Sequence, residues 1–232
     1  MIPPIVAAIV PSAGSGTRFS STVKKTYSII GSKPVIIHTL ERLQESHLIS
    51  EIIPVVAQED INDFKTLINR YSVDNINHIA SGGPQRQDSI NNALSCITDA
   101  DFVMVHDGVR PFITPHLIEA LIHNCTEVDG VIPGLPVSDT IKKVDENHNI
   151  ITTVDRRNLI LVQTPQVFKF TIFKKAYEQA YQMGYYGTDD ASLIERIGGK
   201  VKFIQGSPFN IKITVPEDKI LGEFINQRMS EL

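Results

Sequence analysis

What this 232-residue chain lacks narrows its function before any motif is read. It has no surplus of basic charge: 22 lysines and arginines stand against 26 acidic residues, a formal net charge of −4. Proteins that grip nucleic acid by its backbone carry a basic face, so nucleic acid is not an expected partner. It has few cysteines. Cys96 and Cys125 lie beside apolar residues in stretches that read as helical, and no CxxC pair occurs. That argues against a metal knuckle or redox pair and for two buried thiols in a reducing compartment. No apolar run approaches the ~20 residues that span a bilayer. Met1-Ile2-Pro3-Pro4 carries neither the basic segment nor the apolar core of a secretory signal. A cytoplasmic protein with no membrane partner is the expectation. Two nucleotide fingerprints are missing as well. Gly14 and Gly16 begin a GxGxxG, but Phe19 stands at its third position, and no GxxxxGK followed by Ser or Thr exists. A dehydrogenase loses its support there, and so does a P-loop enzyme.

What is present is an ordinary globular composition, 42% hydrophobic and 21% charged, able to fill one sizeable core over residues 1–232. Apolar runs alternate with amphipathic ones. Ile5–Val10, Ile52–Val56, Ile76–Ala80, Phe102–Val105 and Gly130–Pro133 read as buried strands. Between them, Ile36, Ile37, Leu40 and Leu43 mark one helix face, Ile61, Phe64, Leu67, Ile68 and Tyr71 a second, and Ile90, Ala93, Leu94 and Ile97 a third. Thr114-Pro115 reads as an N-cap with proline at the first helical position. This alternation predicts an α/β fold with a mostly parallel sheet and helices on both faces. In such sheets ligands bind beyond the carboxyl ends of the strands.

One stretch departs from that order. Thr140–Val144 and Ile150–Val154 are short extended runs about a polar turn, which predicts a β-hairpin arm at about 138–157. A lone hairpin is marginal in water, so the arm is expected to pack on a partner, a second subunit being the natural one.

The segments after the expected strands carry the chemistry. Ala13, Gly14, Ser15 and Gly16 form a loop of small residues that can turn its N–H groups toward an anion, with Arg18, Lys24 and Lys25 close behind. Gly82-Gly83 allow a flat base to approach the backbone, Arg86 follows, and Ser89 is a hydroxyl within reach of a base edge. His106-Asp107-Gly108-Val109-Arg110 follows the fourth strand; Asp107 suits a hard cation over phosphates, while His106 reads as a packed residue. Thr188-Asp189-Asp190-Ala191 reads as a helix start with acidic caps. Asn210–Thr214 reads as a short strand, and Lys212 taken alone is a surface lysine.

Together the loop Ala13–Arg18 with Lys25-Thr26-Tyr27, GGPQRQDSI from Gly82, VHDGVRP from Val105, Thr153–Arg157, QTPQVF from Gln163, TDDAS from Thr188 and Asn210–Thr214 resemble the 2-C-methyl-D-erythritol 4-phosphate cytidylyltransferase family over nearly the whole chain. The resemblance implies a three-layer Rossmann-like nucleotidyltransferase fold. It also implies Mg²⁺-assisted transfer of CMP from CTP to a small polyol phosphate in the non-mevalonate isoprenoid pathway. Arg18 and Lys25 then correspond to the cations at the α-phosphate. Gly83, Arg86, Ser89 and Gly108 correspond to positions around cytosine and ribose, and Asp107 to the acid near the metal. Arg156 and Lys212 would hold the acceptor phosphate, with Thr140 and Arg110 nearby. The arm would cross to a second subunit, so that Thr140 and Arg156 complete that subunit's site in a homodimer. Two rivals remain: the related ribitol 5-phosphate cytidylyltransferases, and a catalytically silent nucleotide-binding module.

Overall fold

The computed structural model describes residues 3–14 and 24–230. Along the chain come β1 (Val6–Pro11), the two-residue strands β2 (Ile29–Ile30) and β3 (Lys33–Pro34), α1 (Val35–Gln44), β4 (Glu51–Val56), α2 (Ile61–Arg70), β5 (Ala80–Ser81), α3 (Arg86–Leu94), β6 (Phe102–Val105) and α4 (Pro115–Cys125). Then follow β7 (Gly130–Pro136), β8 (Ile141–Val144), β9 (Ile150–Val154), β10 (Ile160–Val162), β11 (Gln166–Lys169), α5 (Phe170–Gln182), α6 (Asp190–Arg196), β12 (Val201–Gln205) and α7 (Pro216–Ser230).

The main sheet runs β10-β7-β11-β6-β1-β4-β5, with β12 also paired to β7. β6, β1, β4 and β5 are mutually parallel, as are β7 and β12. β11 lies antiparallel between β6 and β7. β1 shows why the sheet is a middle layer. Val6, Ala8 and Val10 enter one core with Leu40, Phe64 and Leu121, while Ala7 and Ile9 enter another with Ile90, Phe173 and Ile194. Hence α1, α2 and α4 cover one face and α3, α5 and α6 the other, and an unbroken apolar strand is satisfied on both sides. None of the described helices is long and apolar enough to cross a membrane.

A third cluster joins Ile30, Val35, Val109, Phe112, Ile213 and Ile225, seating α7 against the turn that follows β6. Burying Ile213 leaves its neighbour Lys212 facing the other way, toward the strand ends.

The structure corrects three expectations. The strand over Ile76–Ala80 shrinks to Ala80–Ser81, because the chain before it turns at Ser72 and Asn75, both with positive φ; Asn75 accepts one bond from Ile52 N–H, but in-register pairing with β4 is confined to Val55 and Val56. Asn210–Thr214 pairs with no strand among the described residues; it is pinned by Ile213 N–H donating to the Val109 carbonyl at 2.9 Å and by Asp218 accepting from Thr214 N–H at 2.7 Å. Cys125 is buried, but Cys96 lies just past α3 and is only half-buried; both thiols are free. Burial pushes the Cys125 thiol up to about 12.

Phe173 is fully buried, with ring centroids 5.2 Å from Phe168 and 4.6 Å from Tyr177. Phe173→Ala is expected to cost about 3–5 kcal/mol in urea denaturation, the usual range for deleting a core aromatic. A loss under about 1 kcal/mol would mean that this side of the sheet is not the close-packed layer described.

Candidate active site

Because β1, β4, β5 and β6 run parallel, their carboxyl ends open along one edge of the sheet. A cleft of about 350 Å³ lies there. The loop after β1 contributes Ser12, Ala13 and Gly14, and the segment after β5 contributes Gly83, Arg86 and Ser89. Asp107 comes from the end of β6, Lys25 from the short 3₁₀ turn Lys25–Tyr27, and Lys212 from the stretch before α7.

Two glycines let these loops meet. A Cβ on Gly82 would stand 2.3 Å from the Ala13 Cβ, so the first loop and the Gly82-Gly83 segment can touch only without it. A Cβ on Gly108 would stand 2.1 Å from Ser12 Oγ. Gly108 lies outside the cleft lining, and its carbonyl accepts from Thr39 Oγ1 at 3.1 Å, which ties the Asp107 turn to α1. Ser89 lines the cleft while bracing it: its hydroxyl donates to the Gln85 carbonyl at 3.1 Å and accepts from Gly83 N–H at 3.0 Å.

Asp107 is 7% exposed and meets three cations. Lys212 Nζ stands 2.9 Å and Arg110 Nε 3.5 Å from Oδ2, and Arg86 Nε stands 3.8 Å from Oδ1. Burial alone would raise the carboxyl's pKa; Lys212 first, then Arg86 and Arg110, outweigh it and hold the group well below the usual carboxylate range. With Lys25, Arg86 and Lys212 set against one carboxylate, the described lining of the cleft is cationic on balance, as a polyanion requires.

The turn bearing Asp107 is locked from behind by His106, which is fully buried. Its Nε2 lies 3.0 Å from the Arg110 carbonyl and must donate there, leaving Nδ1, 3.1 Å from Thr164 Oγ1, as acceptor. Thr164 Oγ1 in turn accepts from Asp107 N–H at 3.0 Å. Arg110 Nη1 donates to the Asn210 carbonyl at 2.8 Å, and Asn210 Nδ2 donates to the Thr164 carbonyl at 2.8 Å. Gln163 Nε2 donates to the Ser207 carbonyl at 2.8 Å, and Gln163, Thr164 and Asn210 brace the site although sequence reasoning gave them no role. Their signal was the polar motifs QTPQ and NIKIT inside otherwise apolar surroundings.

A second cleft of about 510 Å³ adjoins the first and shares Arg86, Asp107 and Lys212 with it. Arg110 opens onto this second cleft, along with Thr164, Gln166, Thr188 and Asp189. Of the two lysines behind the first loop, Lys25 faces the nucleotide-sized cleft, whereas Lys24 pairs with Asp60 at 2.5 Å and Glu59 at 3.7 Å. Thr140 and Arg156 line neither cleft. Both are exposed at the root of the β8–β9 hairpin, where Arg156 Nη1 donates to the Ser138 carbonyl. Ser15, Gly16 and Arg18 lie outside the described residues. The Thr188–Ala191 segment divides its two acids. Asp189 caps α6, its Oδ1 accepting from Ser192 N–H at 3.0 Å, but Asp190 turns inward and is 1% exposed, a placement the capping pattern did not announce.

Among the described residues no three His, Cys, Asp or Glu side chains converge as a metal site would need. Asp107, the single carboxylate in the described lining of the first cleft, suits a Mg²⁺ ion that arrives with its nucleotide, since that ion is commonly held by one or two carboxylates plus substrate phosphates.

Comparison with known proteins agrees with this geometry. The family model described as IspD, 2-C-methyl-D-erythritol 4-phosphate cytidylyltransferase, matches residues 6–228. A protein of that name from Syntrophus aciditrophicus is 45% identical over 222 residues, covering 95% of each chain. Another, from Geobacillus kaustophilus, is 38% identical over 225 residues, covering 97% of this chain and 98% of that one. The solved structure of 4-diphosphocytidyl-2C-methyl-D-erythritol synthase from Anaerococcus prevotii superposes with a TM-score of 0.85 at 30% identity, over 97% of both chains.

Burial moves the His106 imidazole down to about 4, against the pull of the Arg110 carbonyl, from an ordinary value near ~6.5. Between those values the unfolded chain takes up a proton that the folded one refuses, so stability is full above the window and falls as pH drops through it. The wild-type chain should therefore lose roughly 3 kcal/mol more than His106→Gln between pH 7 and pH 4 in urea titrations. Parallel losses in the two chains would show that His106 is not held neutral.

Proposed function

The chain belongs to the 2-C-methyl-D-erythritol 4-phosphate cytidylyltransferase family, and we propose that its two adjoining strand-end clefts receive the two substrates of that reaction. The enzyme transfers CMP from CTP to 2-C-methyl-D-erythritol 4-phosphate. It releases pyrophosphate and forms 4-diphosphocytidyl-2-C-methyl-D-erythritol.

CTP takes the first cleft. The base rests against Gly83 and Ser89, and the phosphates lie along the Ala13–Gly16 loop, with Lys25 and Arg18 as their cations. The polyol takes the second cleft, where Thr188 and Asp189 present a hydroxyl and a carboxylate to its hydroxyl groups. The observation that carries this reading is the wall between the clefts: Arg86, Asp107 and Lys212 face both, so one cationic cluster stands where two phosphates must meet.

The chemistry is in-line attack by an acceptor phosphate oxygen on the α-phosphorus. A phosphate monoester, with a second pKa near ~6, already carries the attacking charge at neutral pH, and no general base is needed. A neutral, fully hydrogen-bonded His106 fits that requirement, since it has no lone pair to spare. What remains is alignment of two repelling anions and neutralisation of the leaving pyrophosphate. Lys212 exchanges Asp107 for the acceptor phosphate, and Asp107, still bracketed by Arg86 and Arg110, retains its charge. Asp107 would hold a Mg²⁺ ion brought in with the nucleotide, and that ion would draw negative charge off the phosphates.

The arm completes the picture. Among the described residues β8 and β9 pair only with each other, and Val144, Ile150 and Ile151 stand exposed. A two-stranded ribbon with bare apolar residues wants a surface to cover it. In a two-fold homodimer the arm reaches the other protomer, and its Thr140 and Arg156 approach that protomer's Lys212. The enzyme works in the cytoplasm, where CTP is made and spent.

Two experiments test these readings. Pyrophosphate release should be rapid with CTP plus methylerythritol phosphate and slower by at least about tenfold with UTP, ATP, GTP or ribitol phosphate. Equal rates with ribitol phosphate would move the chain to the sibling activity, and no release with any pair would make it a silent module. For the arm, Arg156→Ala and Lys212→Ala should each cost about 10²–10³ in turnover. Mixing the two after dissociation should restore roughly a quarter of wild-type activity, because half the dimers then carry one intact site of two. No recovery on mixing would place Arg156 outside any shared site.

A further inference from the structure

The first turn of α3 is held from one side by the end of α5 and the segment that joins it to α6. Gln87 Nε2 donates to the Tyr185 carbonyl and its Oε1 accepts from Gly187 N–H, each at 3.0 Å. Asp88 Oδ1 accepts from the hydroxyls of Tyr181 at 2.7 Å and Tyr186 at 3.0 Å, while its Oδ2 accepts from Gln85 N–H at 2.9 Å. These bonds fix the backbone on which Arg86 stands. They do not fix where its long side chain points.

That direction is set elsewhere. Arg86 Nη2 donates to Asp190 Oδ2 at 2.8 Å, whereas its other carboxylate neighbour, Asp107, stays 3.8 Å from Nε, outside hydrogen-bonding distance. Asp190 is itself immobilised: it is 1% exposed, and its Oδ1 accepts from the hydroxyl of the equally buried Tyr177 at 2.7 Å. A buried carboxylate with both oxygens committed is a rigid anchor, and a planar guanidinium reads its position faithfully. The guanidinium so placed is the one that faces both clefts.

We infer that Asp190, backed by Tyr177, is a positioning residue that aims Arg86 at the nucleotide. It touches neither substrate. By drawing the guanidinium back from Asp107 it also leaves Lys212 as that carboxylate's closest partner, at 2.9 Å. Without Asp190, Arg86 collapses onto Asp107 and its donors leave the nucleotide side.

The inference rests on the reading of the first cleft as the CTP site, so wild-type pyrophosphate release from CTP and methylerythritol phosphate is measured first. If that fails, the reading of the cleft fails, whatever the variants do. In an active enzyme, Asp190→Asn keeps the shape and can still meet Tyr177. It should raise the CTP KM at least about tenfold, toward the roughly 10²-fold that a misplacement of about 1 Å costs. Loss of folded protein alone would lower apparent kcat and the melting temperature and leave the KM where it was. Arg86→Lys keeps the charge without the planar fork and should show the same CTP defect. The double variant should be no worse than Arg86→Lys alone, because both substitutions break one arrangement. An unchanged CTP KM in Asp190→Asn, or defects that multiply in the double variant, would overturn the inference. Should Asp190→Asn not fold, an unchanged CTP KM in Arg86→Lys overturns it instead.

Discussion

A single buried carboxylate organises this protein. Asp107 sits at the end of β6, almost out of water, and a charge in that position costs several kcal/mol unless it is compensated. Compensation comes from three directions: Lys212 from the stretch before α7, Arg86 from α3 and Arg110 from its own turn. Each cation is brought in by a different piece of the fold, so the electrostatics of one group tie those pieces together. The same cations are then available to a phosphate. An anion that displaces Asp107 from Lys212 is not entering a neutral pocket; it replaces one negative partner by another. On the proposed reading the cluster therefore stands ready for substrate charge before substrate arrives, as preorganised sites do.

Around that cluster the polar wiring is nearly closed. His106 spends one ring nitrogen on the Arg110 carbonyl and the other on Thr164, and Thr164 returns a bond to the Asp107 backbone. Such circuits are rigid because every member would be left unsatisfied by a small movement, and an unpaired polar group in a dry site is expensive. On the opposite wall Asp190 and Tyr177 do the same for the Arg86 side chain, and Gln87 and Asp88 for the helix turn that carries it. The two circuits share no side chain; they meet where Arg86 and Asp107 face one another across 3.8 Å.

Some of this could be read along the chain. The alternation of apolar runs foretold a parallel sheet with two covered faces, and β1 delivers it residue by residue, Val6, Ala8 and Val10 to one core and Ala7 and Ile9 to the other. The hairpin about the polar turn after Val144 was equally plain. Asp190 was misread for a physical reason: an acid in the first turn of a helix is satisfied by the dipole alone, and nothing local reveals that its side chain points inward to meet Arg86, 104 residues away. The strand expected over Ile76–Ala80 failed likewise, since a sequence pattern cannot say where the neighbouring strand stops offering partners.

The sequence by itself determined which segments are buried and which loops are small enough to approach an anion, because hydrophobic period and glycine placement act over a few residues. It also carried the family, through short motifs kept in order. Only the tertiary structure decided that Asp107 is shared by Arg86, Arg110 and Lys212, that Lys24 pairs with Asp60 and Glu59, and that Gly108 serves packing against Ser12. Those outcomes depend on distances of a few ångströms between residues far apart in the chain. Coulomb energy and close packing respond to separation in space, to which separation in sequence is no guide.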